Sequence, residues 1–256
     1  MRKFASIGAL AAALMMAVMS AQAASLADIK KSGEFRVGTE GTYPPFTYHE
    51  ASGQLTGFDV DIARAIADHM GVKAKFLEGH WDGLIAGLDA NRYDAVINEV
   101  GITKARQAKY DFSKPYIASK AALIVRSDNT DIKSFKDLKG KTSAQTLTSN
   151  FGSIARDNGA KLIGTDGFNQ SIALVIQKRA DATINDSLSY LDFKKHKPDA
   201  PVKVAAEEAH ADYSAVIISK GEPDLLAAID KALDAMKADG TYLKISEKYF
   251  GQDVSK

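Results

Sequence analysis

Two short stretches carry the side chains in this sequence that could hold a small charged molecule. In the first, the apolar run Ala95-Val96-Ile97 stops at Asn98-Glu99, Gly101 follows, and Thr103 stands where it can cap a short helix bearing Arg106. A buried strand that ends in polar side chains, a glycine free to approach a ligand, and an arginine is how an α/β fold presents a small anion at the carboxyl edge of its sheet. In the second, Arg179-Ala180-Asp181-Ala182-Thr183-Ile184-Asn185-Asp186 repeats Arg92-Tyr93-Asp94-Ala95-Val96-Ile97-Asn98-Glu99 with five identities in eight positions. The separation is too long for a solenoid. It suits two similar lobes, each ending a central strand in an acid.

Other chemistries find little support. With no cysteine, a thiol nucleophile or a thiolate zinc site is impossible. His49, His69, His80, His196 and His210 lack the short spacing of a metal-binding helix. No Gly-rich phosphate loop or nucleophile elbow occurs. No cofactor is expected. One acid-base role stays open, for Glu99 as a general acid.

The elements around these residues alternate. Residues 35–38 read as a strand, and the loop from Thr39 through Glu40 to Phe46 has two prolines that favour an extended path and direct Tyr43. Gly53 marks a hairpin tip. A helix starts at Asp59 and stops at Gly71, and a strand covers 72–77. Trp81, Leu84, Ile85 and Leu88 give one apolar face to a helix over 81–88. A strand over 121–126 and a short helix over 132–138 precede a second set: strand 142–145, a helix from Asn150, strand 161–163, helix 171–178, strand 182–185 and helix 188–195. Apolar runs at 202–205 and 216–219 and helices over 223–238 and 241–249 close the chain. This is an α/β pattern with a mostly parallel sheet. Taken singly, the key residues also have plainer uses. Arg106 suits a solvated helix surface, Trp81 a core, Asp186 an N-cap, and Asn98 a brace for cleft backbone.

Taken together, the blocks GTEGTYPPFTY, GQLTGFDVDIARAIA, WDGLIAGLDANRYDAVIN, KYDFSKPY and ADGTYLKISEKYFGQDV closely resemble the periplasmic polar-amino-acid-binding proteins of ABC importers, most of all the cystine-binding members. The blocks follow the family's order over the whole chain beyond the leader. The resemblance implies a two-lobed periplasmic-binding-protein fold of type II, with two crossing strands as a hinge. It places lobe 1 at 24–118 with a return at 215–256, and lobe 2 at 119–214. It implies that Arg106 grips an α-carboxylate and Asp186 receives an α-ammonium. Tyr43 and Trp81 then wall the ligand side chain, and Ser149 with Asn150 and Phe151 meets the carboxylate from the second lobe. Asn98, Glu99, Gly101 and Glu40 complete the expected site. Gly101 stands where many members have Ser or Thr, and Glu99 where they have Ser or Gln. A cyclohexadienyl dehydratase on the same fold is the enzymatic alternative.

The totals agree with export. Met1-Arg2-Lys3, the apolar run from Phe4 to Met19 and Ala21-Gln22-Ala23 read as a signal peptide over 1–23, too short and Ala-rich for an anchor. Removing Arg2 and Lys3 leaves 31 of the 33 basic residues against 32 acidic ones, a balance that argues against nucleic acid or an anionic membrane surface as partner. The expected product is a soluble periplasmic monomer that meets a permease in the inner membrane. Arg106 and Asp186 balance one zwitterion, so Glu40 and Glu99 are surplus acids that favour a ligand with a distal ammonium. Cystine comes first, with lysine, arginine and histidine as competitors.

Overall fold

The computed structural model describes residues 25–255, so the expected signal peptide lies outside the described residues. Two five-stranded sheets, each flanked by helices, form two lobes. The first sheet runs Lys73–Glu78, Glu34–Thr39, Ala95–Val96, Ile217–Ser219, Tyr110–Phe112. The second runs Lys161–Gly164, Thr142–Gln145, Ala182–Asp186, Ala121–Arg126, Val202–Glu207. In each, three parallel strands are followed by one that runs against them and then by one that runs with them, so the sheets are mixed where a mostly parallel sheet was expected. The physical reason is that the chain changes lobes twice. The strand that enters a sheet after each change, Ala121–Arg126 or Ile217–Ser219, runs against the βαβ trio, and the one that leaves it before the next, Val202–Glu207 or Tyr110–Phe112, runs with the trio again.

The repeat has the same structural job in both copies. Asp94 accepts the Arg36 amide at 2.7 Å, and Asp181 accepts the Thr142 amide at 2.7 Å, each pinning the neighbouring parallel strand. The Arg36 guanidinium adds an ion pair to Asp94 at 2.6 Å. Asn98-Glu99 and Asn185-Asp186 then emerge at the same edge of their sheets.

Between the lobes, Ile117–Ser119 and Asp212–Ser214 pair antiparallel as a two-stranded ribbon. They lie where the resemblance implied two crossing strands, although the residue pattern alone marked neither, because each is three residues long and lacks an apolar alternation. Around the first sheet, the helix Phe58–Met70 buries Phe58, Ile62, Ala63, Ile66 and Ala67 and ends at Gly71, whose φ of 74° is the left-handed cap that glycine adopts freely. It packs on Pro223–Ala238 and Thr241–Phe250, where the Phe58 ring meets Tyr116, Tyr242, Tyr249 and Phe250. Three local expectations need correction. The segment 132–138 is helical only as a 3₁₀ turn over Phe135–Leu138, where Asp137 and Ser134 cap each other. The loop after Tyr43 turns back on itself, with the Phe46 amide on the Tyr43 carbonyl at 3.0 Å and a cis Pro44–Pro45 bond. The helix over 81–88 is broken into Trp81–Leu84 and Ala86–Asp89. Among the described residues no helix is long and apolar enough to cross a membrane.

Candidate functional site

The cleft between the two sheets is lined by Glu40, Tyr43, Trp81, Asn98 and Glu99 from one side and Thr146, Ser149, Asn150, Phe151, Gly167, Phe168 and Asn185 from the other. About 360 Å³ of it is free of atoms, counted out to the solvent at its mouth. Eight of the eleven residues expected from the sequence line it. Arg106, Gly101 and Asp186 stand just behind the wall.

Arg106 sits on the one-turn helix Lys104–Gln107, whose N-cap Thr103 accepts the Arg106 amide at 3.2 Å, as its spacing implied. Its guanidinium lies 5.2 Å from the Trp81 ring centroid and donates to the Gly101 carbonyl at 2.8 Å. No carboxylate forms an ion pair with it among the described residues, and burial, opposed by Glu99, lowers it to about 10. At neutral pH it is still a cation. A Cβ on Gly101 would lie 3.7 Å from this guanidinium and 3.4 Å from the Asn150 amide, so the Gly101–Arg106 edge of the first lobe faces the second lobe's helix N-terminus directly.

The acids are buried. Glu99 has a φ of 49°, a left-handed backbone held by its own amide, which donates to Asp59 at 2.6 Å. Its carboxyl takes the Ser214 hydroxyl at 2.7 Å, and burial and then the nearby Asp186 push it well above the usual carboxylate range. Asp59, fully buried, also accepts the Tyr116 hydroxyl at 2.9 Å, and burial raises it to about 7. Asp186 does cap the following helix, accepting the Leu188 and Ser189 amides at 2.8 and 3.4 Å, and it takes the Ser119 hydroxyl as well. Burial raises it to about 6. Glu40 is raised to about 7 by burial, against the Asn98 amide that donates to it at 2.6 Å. Asn98 also accepts the Thr39 hydroxyl and the Glu40 amide, so it braces the loop rather than reaching across the cleft.

The aromatic and second-lobe residues divide unevenly. The Trp81 indole N–H is buried without a partner, an unspent donor at the cavity wall. Tyr43 is already committed, its hydroxyl donating to Asn185 at 2.8 Å across the cleft. Ser149 lines the cavity, but its hydroxyl caps the helix Asn150–Asp157 and donates to Thr146. Thr146, Gly167, Phe168 and Asn185 were not foreseen. Asn185 alone had a signal, as the repeat counterpart of Asn98.

Bonds across the cleft hold the lobes together. Asp82 accepts the Leu147 amide at 3.1 Å and the Thr148 amide and hydroxyl at 2.9 and 2.8 Å. Ser189 donates to the Pro44 carbonyl at 2.8 Å and Asn169 to that of Thr42 at 3.3 Å. The lobes are closed, and the fold and site are those of a two-lobed solute-binding clamp.

Residues 35–252 match the bacterial extracellular solute-binding proteins, family 3, and the chain belongs to that family. It is 46% identical over 231 residues to the L-cystine-binding protein TcyA of Bacillus subtilis (strain 168), covering 90% of this chain and 86% of that protein. An ancestral arginine-binding protein bound to arginine superposes with a TM-score of 0.80 at 40% identity, over 85% of this chain and 98% of that one. The L-cystine solute receptor of Neisseria gonorrhoeae, unliganded and open, is 46% identical but superposes with a TM-score of only 0.60, over 91% and 100%. Lower identity with better overlap fits the closed arrangement of the lobes here. The family is one of binding proteins, and the enzymatic alternative built on Glu99 is not carried further.

Proposed function

We propose that this protein captures a free polar L-amino acid outside the cytoplasm, L-cystine first, and delivers it as a monomer from the periplasm to the permease of an ABC importer. The observation that carries this reading is Arg106: a half-buried guanidinium with no acid paired to it among the described residues, beside an unpartnered indole N–H, at the edge of a cleft walled by both lobes. An α-carboxylate supplies the anion that such a cation lacks. The α-ammonium then faces Glu99 and Asp186, and the disulfide portion of cystine lies along Trp81 and Tyr43. In this reading Ser149 contributes through the cap it builds, with the amides of Asn150 and Phe151 turned to the carboxylate. The lobes divide at residues 118 and 214, with the ribbon as hinge.

A basic amino acid is the second reading, favoured by the surplus of buried acids: Glu40, Asp59, Glu99 and Asp186 stand against the single Arg106. Mass spectrometry of ligand released from purified protein by denaturation, together with a thermal-shift panel of the amino acids and cystine, decides between them. Cystine is expected to give the largest shift and glutamate and aspartate the smallest. The largest shift from glutamate would overturn the electrostatic argument, and one from arginine would establish the second reading.

A further inference from the structure

Behind the cavity wall, the crossing ribbon carries two buried hydroxyls that the site as described leaves without a role. Side chains alternate along a strand, and the ribbon's register sets Asp212 opposite Ser119 and Ser214 opposite Ile117. Both serines therefore stand on one face of the ribbon, diagonal to each other, and they are only 9% and 3% exposed. Each donates to an acid: Ser119 to Asp186, and Ser214 to Glu99 at 2.7 Å. Those acids are the equivalent last residues of the two repeats. The arrangement is crosswise. The strand leaving the first lobe holds the second repeat's acid, and the strand returning to it holds the first repeat's acid.

This crossing places a hydrogen-bond donor on the element about which the lobes turn and its acceptor in the ligand cleft. A hydroxyl bonds an ionised carboxylate about twice as strongly as a neutral partner. Whatever keeps the acids ionised therefore tightens both contacts to the ribbon, and whatever moves the ribbon changes how readily the acids ionise; the linkage is reciprocal. The groups facing these acids are few. Asp186 faces Glu99, Asp59 and Tyr43; Glu99 faces Asp186, Asp59, Tyr43, Tyr116 and Arg106; Glu40 also faces Tyr43. Of these, only Arg106 is a cation. Crowded acids with one counter-charge are poised to gain most from an incoming ammonium.

We propose that Ser119 and Ser214 are positioning residues that join the charge of the two cleft acids to the geometry of the crossing ribbon, so that an ammonium entering the cleft tightens both crossings together. The proposal rests on the amino-acid reading above for the nature of the ligand, but the hydroxyl–acid linkage itself can be read without any ligand. Each hydroxyl lowers the charge-disfavouring effect of burial at its acid, so its loss must make that acid harder to ionise.

The test has two arms, on the full chain and on the variants Ser119→Ala, Ser214→Ala, Ser119→Thr and Ser214→Thr. In the first, carboxyl-carbon NMR follows Asp186 and Glu99 through pH in the ligand-free protein. The Ala variants should raise the midpoint of the paired acid by roughly one unit, and the Thr variants should keep it near wild type. In the second, L-cystine and L-arginine binding is measured from pH 5 to 8. Ser119→Ala should bind roughly tenfold more weakly near pH 5, with the deficit shrinking to about twofold at pH 7 and less at pH 8 as the acid ionises. Unmoved midpoints, or Thr variants that behave like Ala, overturn the proposal. So does a deficit that is the same at every pH, which is what a merely structural role would give. If the wild type binds neither amino acid, the ligand reading fails, and the titration still decides the role of the serines.

Discussion

The ends of the two repeats start from nearly the same eight residues and finish differently. In the second lobe the strand Ala182–Asp186 runs its full length, and Asp186 leaves it in an extended conformation to cap the helix Ser187–His196. In the first lobe the strand is only Ala95–Val96; Asn98 turns in to brace Glu40, and Glu99 is bent into a left-handed backbone held by Asp59. Helix amides stabilise one acid as an anion, whereas the other has a single serine hydroxyl and an acidic neighbour. Burial accordingly leaves Asp186 at about 6, while burial and then the nearby Asp186 push Glu99 well above the usual carboxylate range. The same motif therefore yields one acid whose charge the helix amides support and one whose charge burial and an acidic neighbour disfavour.

The comparison can be broken most forcefully at Arg106, the cation that Glu99 faces. Arg106→Met should weaken amino-acid binding by tens to thousands of fold, since truncating one partner of a buried charge pair typically costs about 2–5 kcal/mol. Calorimetry with near wild-type affinity would remove Arg106 from the site. The two acids should then separate. Asp186→Asn is expected to weaken binding roughly tenfold or more at pH 7, while Glu99→Gln, which removes a charge that burial already disfavours, should change it less at that pH. Equal losses would mean that the acids are alike. In the wild type, binding should strengthen as pH rises through about 6, where Asp186 ionises, and should release protons, which calorimetry in buffers of different ionisation enthalpy detects.

A third test concerns stability without ligand. Glu40 and Asp59 are held at about 7 in the folded protein, above their ordinary 4.5 and 3.8, so the folded state binds their protons more tightly than the unfolded chain does. Their contribution to stability is complete below about pH 4 and is lost as pH rises to about 7. Melting temperatures across that window should show a shallower alkaline decline in Asp59→Asn than in wild type, and parallel curves would refute the sign. The smallest effect is expected at Asp82, which touches only the opposite lobe's loop. Asp82→Ala should weaken binding by about three- to tenfold, mainly through faster release, and enlarge the ligand-free radius of gyration in small-angle scattering. An unchanged release rate would show that these contacts do not hold the clamp shut.

Much of this was legible in the chain because the signals were local. Thr103 and Arg106 obey capping rules, Gly71 and Gly53 adopt the left-handed angles their positions suggested, and the repeat places Asn98 and Asn185 at matching edges. What stayed hidden was set by distant partners. Asp59 reads as a first-turn helix acid, and nothing near it in sequence announces that it holds Glu99, forty positions away. Ser119 and Ser214 lie on strands too short to show a period. Ser149 was expected to offer its hydroxyl to a ligand, but the helix it begins claims that hydroxyl first.

The order of strands in the two sheets bears on how the molecule is made. Every strand of the second sheet comes from one unbroken run of chain, Ala121 to Glu207, whereas the first sheet has a slot between Ala95–Val96 and Tyr110–Phe112 that only Ile217–Ser219 fills. For a chain that emerges amino end first, the lobe begun second is the one that can be finished first. The lobe begun first must wait with an open seam until the last fifth of the polypeptide arrives. That seam is a row of unpaired backbone groups beside Val96, the kind of edge that invites a wrong partner. Assembly of the first lobe, with Arg106 on its cleft side, is thus among the last events in the folding of the nascent chain.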